Sequence, residues 1–297
     1  MTTKLPDELY TWLVSGRTAS VDDTQVWYRV EGKGPWLVCF HGFPTSSWDW
    51  HRLLPKLTRQ HRVLIFDFPG YGLSGKPKGR SYSLRRQMDA VEALLALLHI
   101  REFDLLAHDM GVSVACELLY RLQESESSLH VRSLSILNAG IYMDMHQPLL
   151  TQRLLRTPVI GEAVARLSSY RVFRHQYPRV YAEPGMFDEA HYQQQWSLMR
   201  YNDGSHTLAK IAGYMKERIH SEDRWLGPLH RTRVPTRLIW GRLDPIAVIA
   251  IAERLCRENP DITLNVLDGV AHYPQLEAPD HVASILLEEE GKQPVSA

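Results

Sequence analysis

A doubly wound, mostly parallel α/β sheet interrupted by a helical insertion is the fold class that the sequence predicts, on three observations. Short continuous apolar runs end in turn residues, as in PWLVCFHG and RVLIFDFPG, which suits strands buried on both faces of a parallel sheet. Helix-like stretches alternate with those runs, the pattern of βα units. The rhythm stops near Ile141, where helical patterns take over and seven of the thirteen tyrosines fall, and it resumes after Val234-Pro235.

In chain order, the alternating TQVWYRVEG reads as a strand. PWLVCFHG and RVLIFDFPG follow as strands, with SSWDWHRLLPKLTRQ between them as a helix capped by Ser46 or Ser47. Next come the helix SLRRQMDAVEALLALLHI, the strand FDLLAHD, a helix from Val112 to about Gln123 and the strand VRSLSILNAG. Beyond the insertion, TRLIWGRLD and ITLNVLDGVAH read as strands, PIAVIAIAERLCREN as a helix, and a last helix starts at Pro279. The expected division is a core over 1–140, a helical cap over 141–229 and the rest of the core over 230–297. The strands flanking the insertion end at the carboxyl edge of the sheet, so the insertion is expected over a site there, as a lid.

Composition narrows the class. Lys plus Arg equals Asp plus Glu, 34 against 34, so no net field draws the chain to nucleic acid or an anionic membrane. Apolar runs such as ALLALLHI at 93–100 fall far short of the roughly 20 residues that span a bilayer. MTTKLPDELYTW has no basic start followed by an apolar stretch, so a soluble cytoplasmic protein, monomeric or homodimeric, is expected. Cys39, Cys116 and Cys256 are scattered, which fits reduced thiols and not a disulfide framework. The sequence holds no H-E-x-x-H, paired C-x-x-C or phosphate-cradling glycine loop, so no metal or nucleotide cofactor is expected.

Four segments meet at the carboxyl edge of such a sheet. FHGFPTSS (40–47) is a loop straight after a central strand. In LLAHDMGVSVA (105–115) a strand-like run stops at His108-Asp109 and turns into a helix, with Ala107 and Gly111 two places either side of Asp109. A sharp strand-to-helix turn needs such small flanks, because larger ones collide with neighbouring backbone. WGRLDPI places Asp244 just after a strand, and GVAHYPQLEAP places His272 after the last one.

These segments, with DFPGYGLS at 67–74, resemble the α/β-hydrolase superfamily, in which nucleophile, acid and histidine follow in this order. The resemblance implies an eight-stranded, mostly parallel sheet with helices on both faces and an inserted cap. More narrowly, the chain looks like the epoxide hydrolase branch. HGFPTSS, HD-x-G, ELLYR, PLL, NDG and HYPQLE are similar in order to segments of the mesoderm-specific transcript proteins, and they span residues 41–277. A shared fold says little about chemistry; four matched site segments say more. The resemblance implies Asp109 as nucleophile, His272 as general base, Asp244 as its orienting acid, and the N–H groups of Phe43 and Met110 as donors to an oxyanion. It also implies two tyrosines that protonate an epoxide oxygen. Tyr214 in LAKIAGYMKERI matches one position; Tyr177, six residues before Glu183-Pro184-Gly185, matches the other, with Tyr170, Tyr181 and Tyr192 as alternatives to it.

An acid where serine usually sits changes the reaction. A carboxylate with the ordinary pKa of about 3.9 is anionic at neutral pH and needs no base to attack. Attack on an ester gives a labile anhydride, whereas attack on saturated carbon bearing a leaving group gives a stable alkyl ester. Histidine is then reserved for activating the water that hydrolyses the ester. Dehalogenases of this fold typically place a Trp after the nucleophile to hold halide; Met110 stands there, and the loop reads His-Gly-Phe where many of them have His-Gly-Asn. An alkoxide leaving group needs an acid, a role that a phenol with pKa of about 10 suits. The expected activity is opening of a small hydrophobic epoxide to a vicinal diol. The alternatives are a haloalkane dehalogenase with atypical halide donors and a ligand-binding member of the fold without turnover.

Blander roles compete for several residues. Asp109 and Asp244 each precede a helix and suit caps. His41 and His108 suit holding backbone around the loops, yet with Pro44, Trp48, Tyr181 and Trp196 they are also candidates to line the substrate pocket.

Overall fold

The computed structural model describes residues 5–287 except 23, 158 and 159. Eight strands form one sheet: β1 (Arg17–Val21), β2 (Thr24–Gly32), β3 (Trp36–Phe40), β4 (Arg62–Phe66), β5 (Glu102–His108), β6 (His130–Leu137), β7 (Thr236–Gly241) and β8 (Thr263–Leu267). Their order is β1-β2-β4-β3-β5-β6-β7-β8. The pairs β1/β2 and β2/β4 are antiparallel and the others parallel.

Successive side chains of the central strands enter two different cores. Val38, Phe40, Leu105 and Ala107 face one, and Leu37, Cys39 and Leu106 face the other. Two buried faces are why these strands read as unbroken apolar runs, since side chains alternate along a strand. Each large apolar side chain buried this way contributes about 1.5–3 kcal/mol. Cys39 and Cys116 are buried free thiols in those layers.

Two N-terminal elements lack the sequence signals used above. β1 lies at the sheet edge and buries only Ala19 and Val21 of RTASV, so it carries no apolar run. The helix Asp7–Ser15 turns Leu9 and Trp12 inward, and Trp12 packs on Trp27 and Trp48 with ring centroids 5.9 and 5.0 Å away. The helix expected from Ser46 is also broken. Ser46 does cap a turn, accepting from Trp48 N at 3.3 Å, but that turn is a short 3-10 segment, Ser47–Trp50, followed by the helix Leu54–Leu57. Pro55 brings no N–H to a longer helix, and Trp48, Asp49 and Trp50 are all buried, which a one-sided surface helix does not allow.

Between β6 and β7 the described residues form helices and 3-10 turns and no strand. The helices Leu150–Leu155, Ile160–Leu167, Tyr170–Gln176, Glu189–Arg200 and Tyr214–His220 are the ones that matter below. An aromatic cluster of Phe173, Tyr177, Tyr181, Phe187 and Tyr192 packs this segment against Tyr273 and Leu276 of the loop after β8. Among the described residues no helix is long and apolar enough to cross a membrane.

Candidate active site

β3 and β5 are neighbours, with Phe40 opposite Ala107, so the loops that follow them start side by side. Asp109 follows β5 and stands at the N-cap position of the helix Met110–Gln123 in a backbone conformation, φ 47° and ψ −116°, that side-chain-bearing residues rarely adopt. Such strain costs about 1–3 kcal/mol and persists only where the surroundings impose it. The surroundings here are close backbone. A Cβ on Gly111 would stand 2.5 Å from Phe40 O and 2.7 Å from His41 O, and one on Gly42 would stand 2.8 Å from Asp109 Cβ. Asp109 N–H donates to Asn138 O at 3.2 Å, anchoring the turn to the end of β6.

The Asp109 carboxylate is nearly buried, and its Oδ2 accepts a hydrogen bond from Phe43 N–H at 2.8 Å. Met110 N–H makes no hydrogen bond to this carboxylate, so one of the two expected donors is engaged. Phe43 is followed by a cis bond to Pro44.

His272 and Asp244 meet from the ends of β8 and β7: His272 Nδ1 lies 2.7 Å from Asp244 Oδ2. Asp244 Oδ1 accepts from Ile246 N at 2.7 Å and Ala247 N at 3.0 Å, so the capping role and the histidine contact use different oxygens. Burial opposes charge on the imidazole; the Asp244 carboxylate, its hydrogen bond and then Asp109 outweigh that and raise the His272 pKa to about 9.

Three supporting residues lie outside the expected set of site residues. Asn138 Nδ2 donates to Asp244 Oδ2 at 2.7 Å, and its Oδ1 accepts from Gly241 N at 2.8 Å. Glu277 accepts from Ala271 N at 3.1 Å, Tyr273 N at 2.9 Å and Ala182 N at 2.9 Å, which brackets the histidine and ties its loop to the insertion. His272 N–H itself donates to Val180 O at 3.1 Å. The third is Asp49, fully buried nearby.

His41 and His108 hold backbone. Phe68 N–H donates to His41 Nε2 at 3.0 Å, leaving Nδ1–H for Gly42 O at 2.9 Å. His108 Nε2 lies 2.8 Å from His272 O, and burial followed by the nearby His272 charge lowers its pKa to about 3, so it is neutral.

A cavity, partly open to solvent, lies between the insertion and these loops, and Phe43, Pro44, Tyr177, Ile246, His272 and Tyr273 are on its wall. Of the six residues expected to line a pocket, Pro44 alone does so. His41 and His108 are spent on backbone. Trp48 turns away to Trp12 and stacks on His51 at 4.2 Å. Tyr181 sits behind the wall, its hydroxyl 2.8 Å from His191 Nε2, and Trp196 packs on Phe173 with centroids 5.4 Å apart.

The two tyrosines are placed differently. Tyr177 is on the cavity wall, and its buried hydroxyl makes no well-formed hydrogen bond although the hydroxyls of Tyr181 and Tyr273 are near. Tyr214 and Asp109 are off that wall. Tyr214 packs against Phe43, centroids 5.7 Å apart, and burial followed by the charge of Asp109 raises its pKa well above the ordinary phenol value. Phe43 thus adjoins the cavity, the carboxylate and Tyr214 together.

An acid on a strained turn after the fifth strand, with a histidine–aspartate pair at the sheet's carboxyl edge, defines the class of molecule. Residues 35–279 match the family described as alpha/beta hydrolase fold, and the chain belongs to that family. It is 36% identical over 287 residues to the Mesoderm-specific transcript protein of Mus musculus, covering 93% of this chain and 86% of that one. Similar solved structures include the haloalkane dehalogenase DbeA from Bradyrhizobium elkani USDA94, with TM-score 0.78, 23% identity and coverage of 92% of this chain and 96% of that one. Epoxide hydrolase CorEH is another, with TM-score 0.75, 19% identity and coverage of 92% and 97%. Identities this low show a common fold alone.

Proposed function

We propose that the protein is an epoxide hydrolase that works through an alkyl ester on Asp109. One observation carries the reading: a carboxylate occupies the strained turn, already held by Phe43 N–H, opposite a histidine whose Nδ1 is fixed by Asp244. Asp109 attacks an epoxide carbon, the C–O bond breaks, and the oxygen takes a proton from Tyr214 or Tyr177. Burial keeps both phenols protonated at neutral pH, as a donor requires. His272 then takes a proton from water, which attacks the ester carbonyl, while Phe43 and Met110 N–H groups receive the oxyanion. Once Asp109 is esterified its charge no longer supports protonated His272, which moves the imidazole toward the neutral base that this step needs.

The cavity supports a small hydrophobic substrate. Among the described residues its wall has no Asp, Glu, Lys or Arg, and no Trp whose indole N–H would receive a halide, which favours epoxide over haloalkane. Phe43 adjoins both the cavity and Asp109, so on this reading substrate reaches the carboxylate past its side chain. The test is His272→Gln incubated with a broad epoxide panel. The expected result is addition of the substrate's mass, located on Asp109 after digestion. An unmodified protein throughout the panel overturns the reading, and chloride or bromide release from haloalkanes by the wild type favours the rival.

A further inference from the structure

The charge balance of the whole chain, 34 against 34, is unevenly spread. From 148 to 180 the sequence has six arginines, one glutamate and no lysine or aspartate. Arg174 pairs with Glu189 at 2.7 Å and Arg166 with Glu162 at 3.8 Å. Arg153, Arg156, Arg171 and Arg179 have no carboxylate partner among the described residues. The same stretch exposes four large apolar side chains, Leu150 at 67%, Ile160 at 49%, Leu167 at 82% and Val172 at 44%. In the helix Ile160–Leu167, the residues Ile160, Val164 and Leu167 form one stripe at i, i+4 and i+7, which a surface helix normally turns inward. Here the row of small residues beside it, Gly161 and Ala165, is buried instead. A Cβ on Gly161 would stand 2.1 Å from Leu155 O, so a close backbone contact fixes which side goes inward. Val164 lines the cavity, and Val172 both lines it and is exposed, so the cavity wall reaches the surface within this face. Leu150 and Leu167 adjoin the cavity-lining residues Thr151 and Ser168.

We propose that this outer surface of residues 150–172 docks on an anionic lipid bilayer. Large apolar side chains set among unpaired arginines suit a bilayer interface. The apolar groups enter the acyl boundary while the guanidinium groups meet lipid phosphate and carboxylate. Burying the four side chains removes apolar surface from water, the same drive that builds the core. Attachment of this kind needs no spanning helix. A second copy fits the surface poorly, since an identical face brings the same four unpaired charges against these. Docking here puts the mouth of the cavity against lipid instead of water. The proposal concerns attachment and holds whatever reaction Asp109 carries out.

The experiment is cosedimentation of the full chain with vesicles of phosphatidylcholine alone or with about one-third phosphatidylserine. The protein is expected on the mixed vesicles and not on the neutral ones, and to be released as salt rises from about 0.05 M to about 0.5 M. Leu150→Gln with Leu167→Gln lowers partitioning about tenfold. Arg153→Gln with Arg171→Gln lowers it about thirtyfold. Leu97→Gln, at an exposed leucine that ends the helix Leu84–Leu97 next to the start of β5, leaves it unchanged. Should the leucine variant fail to fold, the arginine variant and the neutral vesicles decide. No binding to mixed vesicles, binding that both variants keep, or an equal loss in Leu97→Gln overturns the docking. A dimer in sedimentation velocity that the leucine variant abolishes, with no vesicle binding, overturns it too and assigns the face to a second copy.

Discussion

Asn138 donates from Nδ2 to Asp244 Oδ2 at 2.7 Å, the same oxygen that faces His272 Nδ1. Asn138 also accepts from Gly241 N and holds a φ of 22°, which asparagine tolerates better than most residues. Asn138→Ala is expected to lower unfolding free energy by about 1–3 kcal/mol in urea titrations, since it strands a buried N–H and removes a donor to a buried carboxylate. Wild-type stability in that variant refutes the bracing role.

Asp244→Asn is expected to remove the main support for protonated His272 and let burial dominate. Its pKa, about 9 in the parent, then falls below the ordinary 6.5. The sign for stability follows: a raised histidine contributes stability present in full below about pH 6.5 and lost as pH rises through about 9. The variant lacks that decline. Imidazole NMR titration and thermal scans between pH 6 and 9 check both, and an unchanged His272 titration contradicts the assignment of cause.

Tyr214→Phe is expected to slow epoxide turnover by about two orders of magnitude, the usual size of a lost general acid. Measured as ester formation in the His272→Gln protein, the loss falls on the first chemical step. Parent-like rates remove Tyr214 from the role and leave Tyr177, which alone of the two is on the cavity wall.

Asp49→Asn is expected to stabilise the protein at pH 8 more than at pH 5. A carboxyl raised to about 7 by burial favours the folded state in full below the unfolded value of about 3.9, and that advantage is lost as pH rises through about 7. Asparagine avoids the loss, a difference on the order of 4 kcal/mol at most at pH 8. Urea unfolding at the two pH values checks it; a variant less stable than the parent at pH 8 contradicts the argument.

What the sequence discloses follows from where each signal resides. Ala107 and Gly111 announce the turn at Asp109 because steric fit there depends on neighbours in the chain. The buried strands announce themselves by composition, and the edge strand β1 cannot, since its outer residues meet solvent. The bracing roles of Asn138 and Glu277 are illegible because each depends on a partner distant in the chain, Asp244 106 residues from Asn138 and Ala182 95 residues from Glu277. Trp48, Tyr181 and Trp196 show the converse: an aromatic residue is easy to recognise, but the direction its ring takes is decided by packing alone. The broken helix after Ser46 turns on burial of three consecutive side chains, which no periodic pattern encodes.

Glu277 closes the account. Its two oxygens grip amides on both flanks of His272 and one at Ala182, and the histidine's own N–H is bonded to Val180. These bonds tie the 180–182 turn directly to the backbone that carries His272. On the proposed scheme, an opening of this segment that admits substrate is expected to hinge on its other side, toward Leu150–Leu155, since an opening here would unseat the imidazole.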